Sequence, residues 1–198
     1  MKPRKITIER NTNETRISLS LNLDGSGQYE INTPIGFLNH MLELFAKHGL
    51  FDLSMTATGD TDNDDHHIIE DIGIVLGQGI MEAVGDKKGI TRYGSSLLPM
   101  DDVLCAVAVD LDGRYTWKTN YSPAREKVND FPTEMMNHFF GSLATNSMMN
   151  LHIQYLNPGT NEHHRLEGAF KGFARALRIA CAYDERNITS IPSTKGLL

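Results

Sequence analysis

The chain has 198 residues, 40% of them hydrophobic, and a formal net charge of −6. That length supports one large domain or two small ones around a buried core. The negative charge, with no basic block and no basic stripe interleaved with aromatics, excludes a general nucleic-acid role, and no run approaches the roughly 18 apolar residues of a membrane span. Met1-Lys2-Pro3-Arg4 leads into a strand-like stretch and not an apolar signal core. Cys105 and Cys181 are isolated and lack Cys-x-x-Cys spacing, so they read as reduced core thiols of a cytoplasmic protein.

Residues 1–90 read as a first α+β repeat. Leu19–Gly25 (Leu-Ser-Leu-Asn-Leu-Asp-Gly) alternates and ends in Asp-Gly, the pattern of a strand entering a hairpin turn. A helix follows over Gly36–His48, with Asn39-His40 near its start, and then an alternating strand over Phe51–Ala57. The next helix opens on His66-His67-Ile68-Ile69-Glu70 and buries Ile69, Ile72, Val75, Leu76 and Ile80. Gly85-Asp86-Lys87-Lys88-Gly89 is the only junction-like segment. Residues 91–185 repeat the order: Val107–Gly113 (Val-Ala-Val-Asp-Leu-Asp-Gly), a helix over Thr133–Asn146 carrying Asn137-His138, a strand over Asn150–Tyr155, and a helix opening on His163-His164-Arg165-Leu166-Glu167 with Phe170, Phe173, Ala174 and Leu177 on its apolar face. Residues 186–198 form a polar, turn-like tail. Each half is thus strand–strand–helix–strand–helix. The class is α+β, an internal duplication with sheet covered by helices, the halves packed as one pseudo-two-fold unit.

The repeat is densest in histidine. The two His-His-x-x-Glu segments lie 97 residues apart (66 to 163), and His40 and His138 lie 98 apart, so six of the eight histidines recur in register. Imidazole and carboxylate together suit borderline divalent ions such as Mn, Fe, Co, Ni or Zn. Asp64 and Asn161 occupy matched positions and are good N-cap types, which would put both His-His pairs in a first helical turn. Neighbouring residues on a helix point about 100° apart, so adjacent histidines serve two different ions more readily than one. Glu70 is i+4 from His66 and i+3 from His67 and shares a face with either. Six histidines and two glutamates divide into two sites of three His and one Glu, each with open coordination positions. Two divalent ions and two carboxylates leave a formal charge near +2, which favours a bridging anionic ligand. His152 sits in an alternating strand and reads as structural. His48 shares the His40 helix and so stays near the site.

The chain resembles the imidazoleglycerol-phosphate dehydratase family over almost its whole length. The resemblance is carried by Arg10-Asn11-Thr12-Asn13-Glu14-Thr15, Gly36-Phe37-Leu38-Asn39-His40-Met41, Asp64-Asp65-His66-His67-Ile68-Ile69-Glu70-Asp71-Ile72-Gly73, Arg92-Tyr93-Gly94, Pro99-Met100-Asp101-Asp102, Asn161-Glu162-His163-His164-Arg165-Leu166-Glu167 and Ser193-Thr194-Lys195-Gly196. Gly168 departs from the alanine the pattern expects, and Phe131–Asn137 matches only loosely. The resemblance implies a dimanganese enzyme, with two Mn²⁺ per subunit, one held by His40, His67, Glu70 and His163 and the other by His66, His138, His164 and Glu167. It also implies a trimer-based assembly of 24 subunits with active sites between them.

The implied reaction converts D-erythro-imidazoleglycerol phosphate to imidazole acetol phosphate in histidine biosynthesis. The proton to be lost is on carbon with no adjacent carbonyl, so it is barely acidic. A substrate imidazolate bridging both ions would expel the neighbouring hydroxyl, and loss of the side-chain proton would then restore the aromatic ring. Glu14 is the implied acid/base; by spacing alone it is a solvated turn glutamate. Arg92, Arg114 and Lys195, with Ser193 and Thr194, would grip the phosphate, and Lys171, one turn beyond Glu167, would join them. His48 completes the implied substrate contacts. Two other classes fit part of this pattern. A dimetal hydrolase would show phosphatase activity toward simple esters, although its sites usually need more carboxylate. A non-catalytic assembly module would use the ions as glue between subunits and lose assembly, not chemistry, with its metal.

Overall fold

The computed structural model describes residues 4–59, 61 and 64–197. Met1–Pro3 of the first repeat and Leu198 of the tail lie outside the described residues. In the first half, β1 (Lys5–Asn11), β2 (Thr15–Asn22), β3 (Tyr29–Asn32), α1 (Gly36–Gly49), β4 (Asp52–Gly59) and α2 (His66–Val84) follow in order. In the second half come β5 (Tyr93–Met100), β6 (Val103–Asp110), β7 (Thr116–Thr119), a small hairpin of β8 (Lys127–Val128) and β9 (Phe131–Pro132), then α3 (Met135–Ser147), β10 (Asn150–Asn157) and α4 (Glu162–Cys181). One sheet has the order β1-β2-β4-β3 and the other β5-β6-β10-β7, the same topology written twice.

Alternation decides the inward faces. Ile17, Leu19 and Leu21 of β2 and Leu53, Met55 and Ala57 of β4 are buried, while their neighbours Ser18, Ser20, Ser54 and Thr56 face outward. Val103, Cys105, Val107 and Val109 of β6 and Leu151, Ile153 and Tyr155 of β10 do the same in the second sheet. Both cysteines are free, and burial pushes each thiol up to about 12.

The helices form the middle layer. Each sheet carries its own long helix, α2 on the first and α4 on the second, and the shorter helices cross over: α1 packs on α4, α3 on α2. These are the contacts a two-fold axis between the halves would generate. The two crossings are built differently. On α2, a Cβ at Gly73 would stand 2.6 Å from the Phe139 carbonyl oxygen and one at Gly77 2.5 Å from that of Leu143, so α2 and α3 touch backbone to backbone. Between α1 and α4 the rings of Phe45 and Phe173 stack at 5.6 Å.

Two expectations are corrected. The Asp24-Gly25 and Asp112-Gly113 segments do not close hairpins: the chain passes over β4 or β10 and lays β3 or β7 parallel on its far side. The hairpins are β1–β2 and β5–β6. A turn sequence reverses the chain but does not choose the strand it meets. The helix expected from Thr133 begins at Met135, because β9 and the Thr133 bonds to the Arg125 and Glu126 carbonyls occupy the preceding residues.

Candidate metal centre

The first cluster lies where α1 crosses α4. The N-cap position of α1, Ile35, has no capping side chain. Asp130, from the β8–β9 hairpin, fills the role by accepting the backbone N–H of Gly36 at 2.5 Å and of Phe37 at 2.9 Å. One turn on, Asn39 accepts both the backbone N–H and the hydroxyl of Thr33, at 3.0 and 2.7 Å, fixing the helix face that carries His40. Asn161 caps α4 as its residue type predicts, accepting from the backbone N–H groups of His163 and His164. Glu162 is buried and bonded to Tyr121, Ala124 and Arg165. The result converges: His40 Nε2 stands 3.0 Å and His163 Nε2 3.4 Å from the same Glu167 oxygen, Oε1. One donor atom from each of the three lies within 4.8 Å of the others. Lys171 Nζ takes the other oxygen, Oε2, at 2.9 Å. Burial pushes the Glu167 carboxyl up, but bonds from Lys171, His40 and His163 outweigh it and hold it below the usual carboxylate range. The ring of Phe37 meets that of His163 edge-on at 5.1 Å and closes one side.

The second cluster is its counterpart where α2 crosses α3. His66 Nε2 lies 3.4 Å from Glu70 Oε2, and the His66 and His138 rings meet at 4.6 Å. Ser142 donates to Glu70 Oε1 at 3.1 Å. Here the cap differs from expectation. The N-cap position of α2 is Asp65, without a side-chain bond, while Asp64 accepts the His66 backbone N–H from one residue further out at 2.8 Å.

His67 and His164 turn away from both clusters, as their 100° offset requires. Each meets a carboxylate of a hairpin turn: His67 Nδ1 is 3.8 Å from Glu14 Oε2, and His164 lies 3.4 Å from Asp101 and 3.3 Å from Asp102. Within one chain, then, Glu70 belongs with His66 and His138, and Glu167 with His40 and His163. The division implied by the resemblance, Glu70 with His40, His67 and His163 and Glu167 with His66, His138 and His164, combines residues that stand apart within one chain, as ligands drawn from different subunits would. Both i+3 and i+4 share a helix face, and within one chain the i+4 pairs, His66–Glu70 and His163–Glu167, are the near ones.

The expected phosphate residues divide. Arg92, Arg114, Ser193, Thr194 and Lys195 line one cavity of about 420 Å³ beside the tail. Asp110 clamps the Arg92 guanidinium at 2.7 and 3.1 Å, and the Pro192 carbonyl accepts from it at 2.9 Å. Asp112 accepts from Arg114 Nε at 2.7 Å. Lys171 is elsewhere, bound to Glu167. His48 lies beside it, and burial, with Lys171 and Arg175 close by, pushes its imidazole below the ordinary value. His152 is exposed on the outer face of its sheet, away from both clusters. Glu14 borders a separate cavity of about 390 Å³ with Thr12, Asn13, Arg16 and Thr58.

Sequence reasoning assigned no role to Asp101, Asp102, Asp110, Asp112, Asp130 or Ser142. The repeat carried a signal for the first two, since β5–β6 is the counterpart of the hairpin that bears Glu14. Asp110 and Asp112 sat in the Val-Asp-Leu-Asp-Gly segment, read only as a turn.

Duplicated α+β halves presenting paired histidine–carboxylate clusters define the class of scaffold. Comparison with known proteins narrows the class. The family model for imidazoleglycerol-phosphate dehydratase matches residues 33–177. The imidazoleglycerol-phosphate dehydratase of Desulforamulus reducens is 51% identical over 195 residues, covering 98% of each chain. The solved enzyme of that name from Staphylococcus aureus superposes with a TM-score of 0.82 at 40% identity, covering 91% of this chain and 99% of its own. The Pyrococcus furiosus structure, in complex with (S)-C348, gives 0.82 at 35% identity, over 96% and 100%. The chain belongs to the imidazoleglycerol-phosphate dehydratase family and is an enzyme, a hydro-lyase. Among the described residues no helix is long and apolar enough to cross a membrane.

Proposed function

We propose that this chain dehydrates D-erythro-imidazoleglycerol phosphate to imidazole acetol phosphate in histidine biosynthesis, in the cytoplasm, with two divalent ions, Mn²⁺ foremost, as cofactors. The observation that carries the reading is the pair of His₂–Glu clusters in a chain of this family. The donors of His40, His163 and Glu167 lie within 4.8 Å of one another and suit a divalent ion, so these residues fit the group, with His66, Glu70 and His138 as a looser counterpart. His40, His163 and Glu167 would hold one ion, and His66, His138 and Glu70 the other. Bound ions would supply Lewis acidity and a template that favours the deprotonated substrate ring.

The remaining work falls to the chain. Glu14 would move the carbon-bound proton, from a hairpin that already faces His67. Arg92, Arg114, Ser193, Thr194 and Lys195 would hold the phosphate. Both arginines are pre-oriented by Asp110 and Asp112, which trims their net charge and leaves Lys195 as the added cation. His67 and His164 are the natural fourth ligands. Since both turn from the clusters of their own chain, a second copy would supply them, which supports intersubunit sites in a homo-oligomer; 24 subunits built from trimers is the assembly that the family resemblance implies. His48 and Lys171 border the Glu167 cluster and would meet substrate there.

The test is turnover of imidazoleglycerol phosphate by chelator-stripped protein before and after Mn²⁺ is added back, with ketone product detected. Return of activity at about two ions per chain supports the proposal. Two ions bound without product would move the assignment to a dimetal hydrolase or a structural metal module.

A further inference from the structure

Asp71 is a buried carboxylate that none of the roles above uses. It follows Glu70 on α2 and lies one turn beyond His67, at i+4, on the same helix face. A buried carboxylate is costly unless its oxygens are satisfied, and both are. Arg10 of β1 donates to Oδ1 at 2.9 Å, and the Thr15 hydroxyl, at the start of β2, donates to Oδ2. Those two residues flank the β1–β2 turn, which is itself wound around one hydroxyl: Thr12 Oγ1 accepts the backbone N–H of Glu14 at 3.1 Å and of Thr15 at 2.9 Å, and lies 3.2 Å from the Thr15 hydroxyl. An unbroken path of bonds therefore runs from α2 through Asp71, Thr15 and Thr12 to the Glu14 backbone. The Glu14 carboxylate comes back toward α2, with Oε2 3.8 Å from His67 Nδ1.

The duplication shows that the fold itself does not require this carboxylate. The position matching Asp71 in α4 is Gly168, which packs on Val103, Cys105 and Met100 with no polar partner there. The second half forms the same strands and the same helix without it. Both hairpins carry a carboxylate at the tip, and what differs is how the turn is held: the first is tied to its helix through Asp71, whereas in the second Asp102 itself accepts from Thr160 beside His164.

We propose that Asp71 is a positioning residue that holds the β1–β2 turn against α2 and so keeps the Glu14 carboxylate at the site. The inference rests on Glu14 as the proton-transfer group. It predicts that cutting the path costs turnover only through Glu14, because misplacing a reacting group by about 1 Å costs up to about a hundredfold in rate.

The experiment is a double-mutant cycle on the metal-loaded enzyme between Thr15→Val, which removes the hydroxyl at nearly constant shape, and Glu14→Gln. Thr15→Val should lower kcat about 10- to 30-fold, with KM within about twofold and metal content unchanged, while Thr15→Ser stays within about threefold of the parent. In the Glu14→Gln background the same Thr15→Val change should cost less than about twofold. Amide exchange over residues 12–15 should quicken at least about tenfold in Thr15→Val, with that of β2 and β4 unchanged. Thr12→Val cuts the next bond in the path and should reproduce the pattern if Thr15→Val fails to assemble. Equal kcat losses in both backgrounds, or loss of bound metal, would overturn the inference. If Glu14→Gln is crippled while Thr15→Val is not, the positioning role alone falls. If Glu14→Gln keeps full kcat, the Glu14 assignment falls and takes this inference with it.

Discussion

The two histidine–carboxylate clusters carry the same residues in the same register, yet one carboxylate is buried and the other partly exposed. Glu167 is buried, with its side chain 8% exposed, and is tied by Lys171; Glu70 is 39% exposed and tied by a serine hydroxyl. The helix under the first cluster is capped by Asn161 and anchored by buried Glu162. The helix under the second has only Asp64 at its start and an Asp65–Lys127 contact at 3.8 Å. The repeat carries the same histidines and glutamate in both halves, and what holds them differs. Organised neighbours orient ligands before an ion arrives, so the two sites should differ in affinity, the α1/α4 site being tighter.

That difference can be broken or sharpened. The largest effect is expected from the carboxylates themselves. Glu167→Gln and Glu70→Gln should each lower turnover on the order of a thousandfold, and metal analysis should show the loss of one ion per chain in each. A smaller effect should separate the sites. Lys171→Met should weaken the α1/α4 site about tenfold, at the low end for an outer partner because the lost ammonium also repelled the ion. Ser142→Ala should weaken the other site only a few-fold, as a neutral partner would; competition with a metal indicator reads both.

The scaffold gives the next effect. Asp130→Ala removes the two bonds that start α1, and should lower stability by about 1–2 kcal/mol, read as a lower Tm with metal stoichiometry intact. The smallest is in acid. Arg4 donates to Asp24, and that bond holds the Asp24 carboxyl below its ordinary 3.8. A depressed folded value means the stabilisation is complete above pH 3.8 and lost as pH falls through the lower folded value. Asp24→Asn should therefore flatten the acid limb of an unfolding curve below about pH 4, modestly, since the side chain is 43% exposed.

Much of this was legible in the residues. The repeat spacing revealed the duplication, the eight histidine and glutamate positions and the strand–helix order, because side-chain periodicity and spacing act locally. The short strands β3 and β7 escaped notice. Tyr-Glu-Ile-Asn has no buried alternation, and its partner strand, β4, follows later in the chain. Asp130 escaped because it caps a helix 94 residues away. Spacing alone does not divide Glu70 and Glu167 between two ions, because i+3 and i+4 share a helix face.

The most direct test of the central claim is a Mn²⁺ titration of chelator-stripped protein beside its His40→Ala and His138→Ala variants. The account predicts two sites per chain of unequal affinity, with His40→Ala abolishing the tighter and His138→Ala the weaker. Two ions still bound by both variants, or a single site lost in both together, would contradict it.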